Sequence, residues 1–103
     1  MITIKIGAAE ATIEDVDDSW INQQINRRRA DGAAVCVQVN INEGAARVAL
    51  STPTCAGNGA GGSRPPNPVE KRVLELWRER GLDKSDFTGG AVVAFLHEVR
   101  RLV

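Results

Sequence analysis

The sequence predicts an α+β fold, a two-layer sandwich with three helices packed on one face of a three-stranded sheet. Three observations predict it. Ile2, Ile4 and Ile6 alternate with Thr3 and Lys5, the period of a half-buried strand. Val35, Val37, Val39 and Ile41 alternate with Cys36, Gln38, Asn40 and Asn42 ahead of a turn. Three other stretches repeat apolar residues at helical spacing. The expected order is β-α-β-β-α-α.

Residues 2–6 form the first strand. Residues 8–18 are acidic and rich in small side chains, and they lead into a helix from Asp17 or Asp18 to Ala30. Acids at its start and Arg27, Arg28 and Arg29 at its end suit the helix dipole, and Gly32 is a natural stop. The second strand turns at Asn42-Glu43-Gly44. Ala46, Val48 and Leu50 return as its hairpin partner, and Pro53 ends the pair.

Thr54 to Pro66 holds four glycines and two prolines in 13 residues, which reads as an exposed connector within one domain spanning 1–103. Asn67-Pro68 opens the next helix as N-cap and first helical residue. Val69, Val73, Leu74, Leu76 and Trp77 give it an apolar side, and Gly81-Leu82 closes it. After Asp83–Asp86 a last helix carries Phe87, Ala91, Phe95, Val99 and Leu102 on one stripe. Val92, Leu96 and Val103 widen that stripe, so this helix should be the most buried.

Composition narrows the function classes. Hydrophobic residues at 43% and charged residues at 25% describe an ordinary globular chain. Thirteen basic and 13 acidic side chains cancel, so no bulk field attracts nucleic acid or an anionic membrane. There is no tyrosine, and Trp20, Trp77, Phe87 and Phe95 all fall on predicted helices, so the sheet offers no aromatic platform for bases. No run approaches the roughly 18 apolar residues of a membrane span, and the start lacks a secretory signal's apolar core. Cys36 and Cys55 make neither a disulfide framework nor a metal motif, so two reduced thiols and a cytoplasmic location are expected.

Several constellations invite chemistry, and each has a plainer reading. The run from Gly57 to Gly62 matches G-x-G-x-x-G, but prolines separate it from strand and helix alike, so it reads as loop. Arg64 to Pro68 could be a polyproline ligand, although helix-start chemistry explains its second half. Arg27–Arg29 with Arg100-Arg101 could hold phosphate, or simply cap helix ends. His97, the single histidine, falls opposite Phe95 and Val99 and should be exposed. Glu10, Glu14, Asp15, Asp17 and Asp18 lack the spacing of a calcium loop. No residue set points to a metal, a cofactor or a catalytic group.

Two features resist the plain reading somewhat more. Gln24 and Arg28 project from the middle of the first helix's apolar arc of Trp20, Ile21 and Ile25. Thr88-Gly89-Gly90 places two glycines in a helix's first turn, where each costs roughly 1 kcal/mol relative to alanine. They permit close helix packing, with Gly90 and Ala94 as a small pair, or they open backbone N–H groups to an anion.

The sequence therefore leads to a small interaction or regulatory module without catalytic activity. A protein partner, or a second copy forming a homodimer, would dock on the outward-facing sheet residues Gln38, Asn40, Arg47 and Ala49. The alternatives are a small-molecule or anion-binding regulatory domain using Gln24, Arg28 or Thr88-Gly89-Gly90, and an accessory protein to nucleic acid.

Overall fold

The computed structural model describes residues 1–32, 34–44, 46–54, 65–84 and 86–102. The chain is α+β, and the described residues form three α-helices and one antiparallel sheet. The sheet has four strands, not the three expected: β1 (Ile2–Ile6), β2 (Ala9–Thr12), β3 (Val37–Glu43) and β4 (Ala46–Ser51), in the order β2-β1-β3-β4. The helices are α1 (Asp18–Ala30), α2 (Pro68–Glu79) and α3 (Gly89–Leu102), and a 3-10 turn at Ile13–Asp15 precedes α1.

The added strand is β2. Gly7 sits at φ +61° and Ala8 keeps a negative φ, so a two-residue turn folds Ala9–Thr12 straight back onto β1. Its sequence, Ala-Glu-Ala-Thr, carries no large apolar residue, so the alternation that marks the other strands is faint there. Neighbouring strands pair with Ile4 opposite Ala11 and Val39, and Val39 opposite Leu50.

Directly paired residues share a face, so the register sorts the sheet. Ile2, Ile4, Ile6, Val37, Val39, Ile41, Ala46 and Leu50 lie on the buried face, with Val48 partly buried beside them. They form one cluster with Ile21 and Ile25 of α1, Val73, Leu76 and Trp77 of α2, and Val92, Phe95, Leu96 and Val99 of α3. Trp77 and Phe95 meet edge to face, with ring centroids 5.1 Å apart and planes at 82°.

Helix ends follow the chemistry of their residues. The Asp17 side chain accepts the Trp20 N–H and caps α1. Asn67 and Glu70 form a reciprocal capping box at the start of α2. At the other end of α2, Gly81 turns at φ +72°. The Gly81 N–H reaches the Arg78 carbonyl and the Leu82 N–H the Trp77 carbonyl, while the Leu82 side chain is buried. Ion pairs on α2 run from Arg72 to Glu75 and Glu79, and α2 is tied to α3 by Arg80 and Glu98.

Candidate functional site

The outer face of the sheet is the first candidate. Thr3, Lys5, Gln38, Asn40, Arg47, Ala49 and Ser51 share it by register, with Glu10 and Thr12 contributed by β2. Two rows cross all four strands: Glu10, Lys5, Gln38, Ser51 and Thr12, Thr3, Asn40, Ala49. Lys5 stands directly opposite Glu10, a favourable cross-strand charge pair. Lys5, Asn40, Arg47 and Ala49 are exposed, and Gln38 is half-buried. The four residues singled out from the sequence, Gln38, Asn40, Arg47 and Ala49, thus lie on one surface. Glu10 and Thr12 were missed with their strand.

The free edge of β4 is partly closed. The Arg47 backbone N–H donates to Glu70 Oε2 at 2.8 Å, while Glu70 Oε1 accepts the Asn67 N–H at 3.0 Å. Glu70 is only 2% exposed, so a buried carboxylate joins the start of α2 to the strand edge.

At the entry to β3 the expected chemistry is overturned. Cys36 is disulfide-bonded, not a reduced thiol. The chain's other cysteine, Cys55, lies outside the described residues, as do the glycine run and most of the connector at 54–66. Thr54, at the connector's first position, is fastened. Its hydroxyl donates to the Val35 carbonyl, so in the 2.8 Å contact between the two hydroxyls Thr52 is the donor. Thr52 Oγ1 in turn accepts the Val37 N–H at 3.1 Å, and the Thr52 N–H reaches the Val37 carbonyl at 3.0 Å. This relay binds the exit of β4 to both sides of Cys36.

The Gln24/Arg28 pair does not open a cleft. Both side chains are half-buried, and the Arg28 guanidinium lies against Gly7, where a Cβ would fall 2.1 Å from Cζ. Its Nε is buried and has no hydrogen-bond partner. Arg29 donates to the Phe87 carbonyl and stacks over the Phe87 ring at 5.5 Å. Two of the three consecutive arginines are therefore engaged in packing, which weakens the phosphate-patch reading.

Thr88-Gly89-Gly90 serves α3. Thr88 Oγ1 accepts the Ala91 N–H at 3.2 Å and caps the helix. The close approach is made by Gly89, not Gly90: a Cβ at Gly89 would fall 2.3 Å from Asn22 Oδ1 of α1, whereas one at Gly90 meets only the Thr88 hydroxyl at 3.9 Å.

His97 is exposed as expected, with a partner that the sequence did not reveal. Its Nε2 lies 3.1 Å from Asp18 Oδ1 and 3.3 Å from Oδ2, bridging α3 to the start of α1. With side-chain exposures of 56% and 61%, this contact contributes little to stability. The pair borders a shallow open crevice of about 20 Å³ lined by Ile13, Val16, Asp17, Ile21, Val93, Leu96 and Arg100. No hydroxyl or thiol residue is among its lining residues. No group of three or more metal-ligating side chains occurs among the described residues. No helix among them is long and apolar enough to cross a membrane. The chain matches no protein-family model, no curated protein and no solved structure.

Proposed function

We propose that this chain is a non-catalytic interaction module that docks a protein partner, in the simplest case a second copy of itself, through the outer face of its sheet. One observation carries the reading. The buried residues of all three helices join the inner sheet face in one cluster, while Lys5, Asn40, Arg47 and Ala49 opposite are exposed. The face is polar, small-featured and regular. Its Gln38 and Asn40 amides supply both donors and acceptors to an incoming surface.

The competing readings have less support. The crevice beside His97 encloses only about 20 Å³, far below the roughly 300–1,000 Å³ of pockets that enclose small molecules. A nucleic-acid surface would draw on arginines that already hold Gly7 and Phe87 in place. A cytoplasmic location requires the Cys36 bond to be open there, because cytosolic thiols are kept reduced.

The test is the double variant Gln38→Lys with Ala49→Glu, two changes on the outer face that leave the inner face untouched. Sedimentation velocity over a concentration series measures self-association, and a pull-down compared with the parent measures other partners. Loss of association with an unchanged circular dichroism spectrum and melting temperature is expected. A folded double variant that associates like the parent refutes docking on this face.

A further inference from the structure

We infer that the occupant of the outer sheet face is a second copy of this chain, related by a twofold axis that sets Glu10 of each copy against Arg47 of the other. The inference rests on docking through this face and adds the partner and the register. Glu10 and Arg47 stand at opposite corners of the face. Glu10 is on β2, in the row of Lys5, Gln38 and Ser51, whereas Arg47 is on β4, opposite Asn42 and two rows away. The strand spacing and the rise along the strands put the two residues about 20 Å apart. Both are exposed, and among the described residues neither side chain enters a hydrogen bond or an ion pair.

Along that diagonal the face is complementary to itself. A twofold axis lying between two such faces, across the diagonal, brings each carboxylate to the other copy's guanidinium, so one contact is made twice. A central axis along the strands, or straight across them, leaves both charges unmatched. The diagonal axis turns the strands of one sheet nearly at right angles to those of the other, which is the orthogonal class of sheet packing. Lys5 then falls against the second copy's Ala49, and Glu10 lies between two cations, its own Lys5 and the second copy's Arg47. Thr3 and Asn40 stand at the centre, small enough for the faces to approach and able to exchange hydrogen bonds. The face spans only about 15 Å by 14 Å, well short of the roughly 800 Å² per partner of a standard interface. The dimer is therefore weak and reversible, and its charges decide which register forms.

Sedimentation velocity of the full chain over a concentration series reads the dimer. Glu10→Arg and Arg47→Glu should each weaken self-association by about tenfold or more, because each sets like charges together at both contacts. An equimolar mixture of the two variants should recover association to within about threefold of the parent, since the mixed pair again matches opposite charges. A parent chain that stays monomeric, single variants that associate like the parent, or a mixture as weak as its components would each overturn the inference. Docking itself is judged separately. If Gln38→Lys with Ala49→Glu abolishes association while both charge variants leave it intact, the face docks a second copy in another register. If the parent is monomeric and that double variant loses a partner from the pull-down, the face docks a different protein. Should Glu10→Arg unfold beside Lys5, Glu10→Gln takes its place. Its mixed dimer with Arg47→Glu keeps one Glu–Arg contact and should form more readily than either variant's own dimer; no such excess overturns the inference equally.

Discussion

Gly89 and Gly90 are adjacent, chemically identical and both in the first turn of α3, yet replacing them with alanine should move stability in opposite directions. Neither has a positive φ, so alanine fits either backbone. At Gly90 the methyl group enters open space, and the gain is that of Gly→Ala in a helix, about 0.5–1 kcal/mol. At Gly89 the new carbon would lie 2.3 Å from Asn22 Oδ1, far inside ordinary contact. Asn22 is not free to yield, because its Nδ2 donates to the Asp18 carbonyl at 3.0 Å. Swinging it aside loses that bond, about 0.5–1.5 kcal/mol, and adds strain of about 1–3 kcal/mol where α1 meets α3. After the propensity gain, Gly89→Ala should cost about 1–3.5 kcal/mol, and because that gain is common to both variants they should differ by roughly 3 kcal/mol. Urea unfolding followed by circular dichroism reads this as midpoints about 1.5 M apart for an m-value near 2 kcal/mol/M. Asn22→Ala in the Gly89→Ala background should recover part of the loss, a coupling of about 1 kcal/mol. Equal stabilisation by both alanines would refute the close approach of α1 and α3.

Two further outcomes probe the core and the strand edge. Phe95→Ala removes a fully buried ring and its edge-to-face contact with Trp77, and should cost about 3–5 kcal/mol by chemical denaturation. A loss below about 1 kcal/mol would mean that α3 is not central. Glu70→Ala strips the acceptors of the Arg47 and Asn67 N–H groups at a buried position and should cost about 2–4 kcal/mol. Glu70→Gln, which keeps the shape and one carbonyl acceptor, should lose less; equal losses would show that both carboxylate acceptors are needed and that packing contributes little.

What the sequence made legible was whatever repeats with a period or sits at a helix end. The alternation of Val37, Val39 and Ile41 fixed both strand and face, so Gln38, Asn40, Arg47 and Ala49 were placed together correctly. Asn67-Pro68 and Gly81-Leu82 marked both ends of α2, because caps are local chemistry. β2 escaped because alanine, glutamate and threonine carry a weak strand signal and its pairing depends on the turn at Gly7. The contacts of Arg28 with Gly7, Asn22 with Gly89 and His97 with Asp18 join residues distant in the chain, and no local pattern encodes them. The Cys36 bond was hidden for a related reason: two cysteines alone make no framework, and only the antiparallel return of β4 brings Thr52 and Thr54 back to Val35 and Val37.

The strand order β2-β1-β3-β4 also bears on how the fold is reached. β1 with β2, and β3 with β4, are joined by short local connections whose closure costs little entropy. The seam between β1 and β3 is different: it pairs Ile2 with Ile41 and Ile6 with Val37, and all of α1 lies in the intervening chain. The loop-closure cost of the sheet is thus concentrated at this one seam. That seam carries only branched aliphatic residues on its inner face, Ile2, Ile4 and Ile6 against Ile41, Val39 and Val37, all buried. The densest apolar pairing in the sheet therefore stands where the chain gives up the most freedom.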